Sequence, residues 1–436
     1  MATTPTIVVG RNNWGIKNGN LLGYYQSDDG FFVKREFAAT RGGGTNGTFV
    51  GSNGLIQTAA SGNVPRIDFY GGSPALLVEP SGTNLALQSE AFNTTWGRTR
   101  INAFGSGSVA NTTGTLDPYG TNLADYLQED TSASDTHRMN QSIAVVSGTT
   151  YSMTCFLKSA ERFQVGLYVF QGGVERYTIF NLASGTATAT SATGGIENYG
   201  NGWYRCRTTF TATASGTLSP GIYLCDDSGN LAYTGTGTKG LYAFGFQFET
   251  GSVATSYIPT TTGTVTRNAD VISLTGATDY IGQTQGTIYC EFAYFGQPVI
   301  RSGPIYLRQA SLKGLSINSA PGEGIVFISR NDGGNTSLIV VSGALQIGTY
   351  YKIAVGYDAG GTAAGGSQAS GVVAYVNGTQ AAIGTFQVPD AAGLTEFRMY
   401  GGNAGIDTEA FNGRIRSAAI YTTRLTNAQL QALTTL

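Results

Sequence analysis

Apolar and polar residues alternate along much of this chain with a period of two, in short runs separated by glycine, asparagine and threonine. In FGFQFET, Phe244, Phe246 and Phe248 fall on one face and Gly245, Gln247 and Glu249 on the other. In YSMTCFLK, Tyr151, Met153, Cys155 and Leu157 alternate with Ser152, Thr154, Phe156 and Lys158, and the first set reads as the core face. In GTIYCEFAYF, Ile288, Cys290 and Phe292 alternate with Tyr289, Glu291 and Ala293. This is the pattern of half-buried β-strands. Further strands are predicted at QVGLYVFQ, YTIFNLAS, NGWYRCRTTFTA and SPGIYLCDD, and later at GIVFISR, TSLIVVS, YYKIAVGYD, GVVAYVNG, FRMYGG and GRIRSAAIY.

The alternation stops once in a telling place. After Phe248 it dissolves into SYIPTTTGTVTR and recovers at Val271, Ile272 and Leu274. Pro259 has no N–H to give to a ladder, and Thr260–Thr266 has no apolar face to bury. One β-sandwich is therefore predicted over 84–263 and a second over 264–436. Residues 28–83, with FFVKREFAAT, GTFVGSNGLIQTAA, VPRIDFYGG and SPALLVEP, read as short strands that lead into or complete a sandwich. Residues 1–27 are too few for a domain and read either as an arm that docks on another protein or as a segment folded back on the chain's own body. Asn377-Gly378 after VVAYV marks a two-residue hairpin turn. The glycine-, alanine- and serine-rich run Ala359–Gly371 reads as a long loop. One short helix is expected, in TNAQLQALTTL at the C-terminus. Thr426 and Gln429 form its capping box, Leu425 and Leu430 its hydrophobic staple, and Leu430 and Leu433 must pack on the sandwich to hold it.

Composition agrees with an all-β chain of two jelly-roll-like sandwiches. The 436 residues include 63 Gly and 24 Tyr against 4 Met, and only 12% are charged. An apolar content of 41% suffices for packed cores. A net charge of −2 gives no electrostatic reason to expect nucleic acid or an anionic membrane. The N-terminal MATTPTIVVG lacks the basic and long apolar regions of a secretory signal, and no apolar run is long enough to span a membrane. Cys155, Cys206, Cys225 and Cys290 are dispersed in strand-like contexts and read as buried free thiols, with one disulfide among the first three as the alternative.

Several ordered motifs carry a resemblance. SGTNLALQSEAFNTTWGRT, DPYGTNLADYLQED, TCFLKSAERF, NYGNGWYRCRTTFTAT and FGFQFETGSVATSYIPTTTGTVTRNADVI resemble a module frequent in bacteriophage virion proteins, a jelly roll similar to carbohydrate-binding modules. The likeness runs from Val64 to about Ile272. The end of the chain, with YYKIAVGYD, GVVAYVNGT and FNGRIRSAAIYTTRLTNAQLQALT, looks like a concanavalin A-like (laminin G type) sandwich. The resemblance implies a virion structural protein made in the host cytoplasm: a tail, neck or head fibre or spike. It also implies a homotrimer bound to other virion proteins through the N-terminal arm, with host-surface glycan as a further partner. A glycan-binding adhesin and a glycan-degrading depolymerase are the alternatives.

Candidate chemistry is thin. A His-based catalytic site would have to use His137, whose polar, turn-rich surroundings read as an exposed loop or strand end. Asp117, Asp125, Asp226 and Asp227 sit in turn-like text and show no paired carboxylates on one strand face, so no enzyme is expected. Gly42–Gly44 lacks the Lys-Ser/Thr and helix of a phosphate loop. No cofactor is called for, although Asp226, Asp227 and Asn230 could hold Ca²⁺ in a turn. For carbohydrate, rings beside hydrogen-bonding groups are wanted; Trp96, and Trp203 with Arg205, are the candidates. Against this, Trp203 and Tyr204 alternate, so one of the two rings faces the core. The tyrosines at 350, 351, 357, 375 and 400 could line an interface between copies.

Overall fold

The computed structural model describes residues 4–27, 29–42, 46–104, 114–296, 302–309, 314–320, 324–330, 336–341, 343, 345–358, 371–385, 393–400 and 411–435. Gly43 and Gly44 of the glycine triplet, residues 359–370 of the predicted loop and the Tyr400 side chain lie outside the described residues. Among those described, regular structure is β-strand apart from short 3₁₀ turns and one α-helix, Asn427–Thr434. No described helix is long and apolar enough to cross a membrane.

The chain divides into two compact units, and one interrupts the other in sequence. Gly47–Thr58 and Gly82–Arg267 form the first unit; Met1–Asn46, Ala59–Ser81 and Asn268–Leu436 form the second. Residues 28–83 are thus shared between the two.

In the first unit, a sheet of six strands runs in the order Ile101–Phe104, Asp125–Glu129, Gly240–Thr250, Thr150–Ser159, Trp203–Thr211 and Thr193–Asn198. A second sheet is built on Gly97–Thr99, Asp135–Asn140, Gly221–Leu224, Gln164–Gln171, Val174–Asn181 and Thr186–Thr190. Tyr151, Met153, Cys155 and Leu157 face the core between the sheets, as their alternation predicts. The long strand Gly240–Thr250 departs from a simple period of two. Gly245 takes a φ of +64°, and the register against Thr150–Ser159 slips between Thr154 and Phe156. This is a β-bulge, and it reverses the parity of the strand. Phe246 and Phe248 face the core, while Phe244 turns to the outer face. The three phenylalanines therefore do not share a side.

In the second unit, one sheet carries Gln285–Tyr294 between Tyr350–Asp358 and Gly413–Tyr421, and continues through Gly371–Val376 to Thr379–Thr385. The other runs from Gly30–Thr40 through Val271–Thr275, Glu396–Tyr400, Ser302–Arg308, Gly314–Ala320 and Gly324–Arg330 to Thr336–Val340. Ile288, Cys290 and Phe292 lie in the core between them, and Tyr289 on the outer face. Asn377 and Gly378 both have positive φ, 48° and 78°, which makes the expected hairpin turn.

The N-terminal segment is not a free arm. Ile7–Gly10 pairs residue by residue with Ile420–Ser417, and all four of its residues are buried. It also joins Asn20–Ser27, which pairs with Gly30–Thr40. Of the two alternatives for residues 1–27, folding back on the chain's own body is what the structure shows for these strands. The C-terminal helix carries its capping box at Thr426 and Gln429, and buries Leu430 beside Leu425 on the outer face of the same sheet.

Candidate functional site

The two tryptophans singled out from sequence are both unavailable to a sugar. Trp96 is 5% exposed. Its ring is wedged between Phe92 and Phe246 at centroid distances of 5.0 Å, and its Nε1 donates to the Gln88 carbonyl at 3.1 Å. Trp203 is 2% exposed. Tyr204 packs toward the core, so Trp203 points to the outer face of the six-stranded sheet. That face is roofed. Trp203 joins Phe156, Phe244, Tyr257 and Ile56 in a second apolar cluster, and its Nε1 donates to Leu116 O at 2.9 Å. Arg205 is buried as well, donating to Thr255 O at 2.6 Å over the Phe156 ring.

The motifs that carry the resemblance prove to be the fastenings of this roof. Asn84 donates from Nδ2 to Phe246 O and Ile258 O, and its Oδ1 accepts from Ala86 N and Phe248 N. The Asp117 carboxylate accepts from the amides of Tyr119, Thr121 and Leu123 and closes a turn. Gln247 Oε1 accepts from Ile258 N at 2.6 Å, and Glu249 accepts from Thr255 N at 2.9 Å. Ser89 hydrogen-bonds the Tyr257 hydroxyl at 2.7 Å. Apart from the Ser89–Tyr257 pair, these bonds run from buried polar side chains to backbone groups.

The acidic candidates disperse. Asp226 closes a turn on the amides of Ser228 and Asn230 and the Asn230 side chain. Asp227 turns instead to Arg162 at 2.9 Å and Lys239 at 3.4 Å, so the expected Ca²⁺ ligands do not converge. Among the described residues no three or more His, Cys, Asp or Glu side chains gather as metal ligands. Asp125 lies at the start of a buried strand rather than in an exposed turn. Its Oδ2 accepts from Phe92 N at 3.1 Å, its Oδ1 has no partner, and burial pushes the carboxyl up to about 8. His137 is not exposed either. It is fully buried in Asp135–Asn140, its ring tilted against that of Tyr233 at 4.5 Å, with Nε2 3.4 Å from Asp130 Oδ1. The neighbouring Glu129 holds Arg162 with both oxygens, at 2.8 and 3.0 Å, and accepts from Tyr233 and Thr236. All four cysteines are free and buried. Of the tyrosines offered as an interface, Tyr357 is a core residue donating to Gly282 O at 2.7 Å, and Tyr375 is buried on the outer face of its sheet.

Two concavities among the described residues bear on function. One, of about 530 Å³, lies in the first unit between Leu85, Leu87, Gly97, Asn140, Gln141 and Ile143. Its Gln141 amide is already locked to both backbone groups of Leu87. The other, of about 280 Å³, lies on the outer face of the second unit and is far more polar. Its floor follows the strand register: Ser417 stands opposite Glu291, and Glu291 opposite Lys352, with Tyr289 one step along the same face. Arg11 comes in from the turn after Ile7–Gly10, and Leu433 and Thr435 from the C-terminal helix and its end. Gly10, Arg11 and Asn12 all have positive φ, and Arg11 N donates to Arg416 O at 3.0 Å. Gly10 is required there, since a Cβ would stand 2.4 Å from the Arg416 carbonyl oxygen. Sequence alone gave no signal for this pocket, because its residues come from five separated stretches, none with a motif.

Residues 298–431 match the family model described as the concanavalin A-like lectin/glucanases superfamily, less than half of the chain. No curated protein matches. Among solved structures, the chain is similar to the CBM40 domain of the Ruminococcus gnavus IT-sialidase bound to α2,3-sialyllactose, at 18% identity over 36% of this chain and 84% of that one, with a TM-score of 0.29. It is similar to domain 4 of the extracellular arabinanase AbnA of Geobacillus stearothermophilus in complex with arabinotriose, at 17% identity over 42% and 81%, with a TM-score of 0.31. It is also similar to domains LG4–5 of the mouse laminin α1 chain, at 10% identity over 66% and 86%, with a TM-score of 0.26.

Proposed function

We propose that this chain is a non-enzymatic, glycan-recognising component of a bacteriophage virion, a fibre or spike that works as a homotrimer and holds host-surface glycan without cleaving it. The observation that carries the glycan reading is the pocket on the second unit. There, hydroxyl, carboxylate and ammonium groups line up across three strands beside two tyrosines, within a sandwich whose sequence matches a lectin and glucanase superfamily. Hydroxyl-rich ligands need such a mixed set of donors and acceptors beside an apolar surface. The virion reading rests on the ordered motifs of the first unit and their resemblance to phage modules. Against hydrolysis stands the use of the buried carboxylates. Glu129 and Asp270 are bound to arginine, Glu249 and Asp117 to backbone amides. A glycosidase needs two carboxyls facing one bond.

A glycan array read at millimolar sensitivity tests the proposal, with binding to at least one bacterial surface polysaccharide as the expected result. Silence across the array overturns the recognition reading. Release of reducing ends from capsule or lipopolysaccharide overturns the non-enzymatic one. Electron microscopy of particles carrying a C-terminal label tests the virion assignment.

A further inference from the structure

Beyond that reading, we infer that two copies of this chain pair along the edge strand Thr186–Thr190, each strand running antiparallel to its own copy about Thr188. Thr186–Thr190 is the last strand of the second sheet of the first unit, and its one ladder is to Tyr177–Asn181. All five of its residues are exposed, so the strand stands clear of the core on both faces. Its other side is paired to no strand among the described residues. A straight row of open backbone N–H and C=O groups is a template for a further strand.

Edges that must stay single are guarded by charge, proline, bulges or short length. Thr186–Thr190 has none of these. Its register runs unbroken from Tyr177 opposite Thr190 to Asn181 opposite Thr186. It contains no proline, and no charged residue occurs between Arg176 and Glu197. Other sheet ends of the same unit differ. Gly97–Thr99, at the opposite end of this sheet, is three residues long and carries Arg98. Thr193–Asn198, at the end of the six-stranded sheet, carries Glu197.

The sequence of the edge decides what fits it. TATAT reads the same in both directions. Antiparallel pairing about Thr188 sets Thr186 opposite Thr190, Ala187 opposite Ala189, and Thr188 opposite its own copy. Threonine then meets threonine on one face, a favourable cross-strand pair, and alanine meets alanine on the other. With no charge on either copy, nothing repels at close approach, whereas a charged partner strand would find no counter-charge. The operation is a two-fold rotation, so the contact closes at two chains instead of growing into a fibre. It is therefore distinct from the three-fold contact of the proposed homotrimer and does not depend on glycan. One strand pair buries well under the roughly 1,200 Å² of a standard interface, so the association is weak and rises with concentration.

The test is register-specific cross-linking of the full chain in a glutathione redox buffer, over a concentration series reaching the millimolar range. The four native thiols are buried, and the parent chain supplies the background. Thr188→Cys should form a disulfide-linked dimer, since directly opposite residues lie about 4.5–5.5 Å apart, within disulfide reach. Thr186→Cys and Thr190→Cys, each alone, should link at least about tenfold more slowly, because the register puts each roughly 14 Å from its own copy. Mixing those two variants should restore the linkage. Adding Thr188→Lys to both members of the mixture, which sets two ammonium groups face to face, should abolish it at an unchanged melting temperature. Thr188→Cys that links no faster than Thr186→Cys or Thr190→Cys overturns the inference, as does mixed linkage that Thr188→Lys leaves intact. A trimer or a glycan complex without this linkage leaves the proposed function standing and removes the edge contact. Linkage in a chain that binds no glycan does the reverse.

Discussion

At the scale of single residues, the buried charges explain most of what polar text in the sequence was for. Asp270 receives Arg41 Nε at 2.7 Å, Arg66 and the Glu79 amide, while Arg66 also reaches Glu79 at 2.7 Å, all of them at most a few per cent exposed. Removing one member of such a group leaves buried charge on the others undercompensated. Asp270→Asn should therefore destabilise the second unit by about 3–5 kcal/mol in denaturant unfolding. Asp125 gives a prediction in pH. Its carboxyl is raised from 3.8 to about 8 in the folded chain, so the native state keeps a proton that the unfolded state has lost. The stability this contributes is fully present below about pH 4 and is lost as pH rises toward 8, with a slope of up to about 1.4 kcal/mol per unit. Asp125→Asn should remove that share of the slope when melting is compared at pH 5 and pH 8. The sequence did not reveal this burial, because DPYGTNLADY reads as turn text and nothing in it says that the side chain will be enclosed and bonded to the distant Phe92 amide. Trp203 was legible in half: its alternation with Tyr204 said that one of the two rings faces the core but not which, and the roof over Trp203 comes from residues far away in the chain.

At the scale of elements, periodicity was the reliable guide and the bulge was its failure. YSMTCFLK and GTIYCEFAYF place their core residues where a period of two puts them. FGFQFET does not, since one glycine with a left-handed backbone turns Phe244 away from Phe246. The same residue makes a sharp test. A Cβ at 245 would sit 3.0 Å from Tyr257 and 3.1 Å from Phe156, in a conformation that side chains resist. Gly245→Ala should destabilise the first unit by roughly 1–3 kcal/mol, measured by the shift in its urea midpoint. The C-terminal helix was fully legible, because capping box and staple are local signals. The pocket was not, because strand register across Ser417, Glu291 and Lys352 is a tertiary property that no single stretch encodes.

At the scale of the whole chain, the sequence shows the seam after Pro259 but hides that the lectin-like sandwich starts before the jelly roll as well as after it. Composition cannot show which strand a short run will join, and Ile7–Gly10 looks like any other apolar quartet. The roof of the first unit draws on the same displaced text: the hairpin of Thr48–Val50 and Ile56–Thr58 lies outside 82–267, yet Ile56 covers Trp203 and Phe244. A fragment spanning 82–267 should consequently bind a hydrophobic dye and aggregate, whereas one that begins at 47 should do so much less, as light scattering would report. There is also a consequence for how the protein is made. Thr6 and Thr422 are hydrogen-bonded across a sequence separation of 416 residues. The ribosome releases Ile7 long before Ile420 exists, so the apolar strand Ile7–Gly10 must wait, with Asn20–Ser27 as its one available partner, until Gly413–Tyr421 has been synthesised. The jelly roll can condense in the meantime, and a sandwich that depends on so distant a contact closes last and slowly. Premature termination anywhere before Gly413 would leave the other edge of that strand open, so closure of the sandwich reports that translation has passed Gly413–Tyr421.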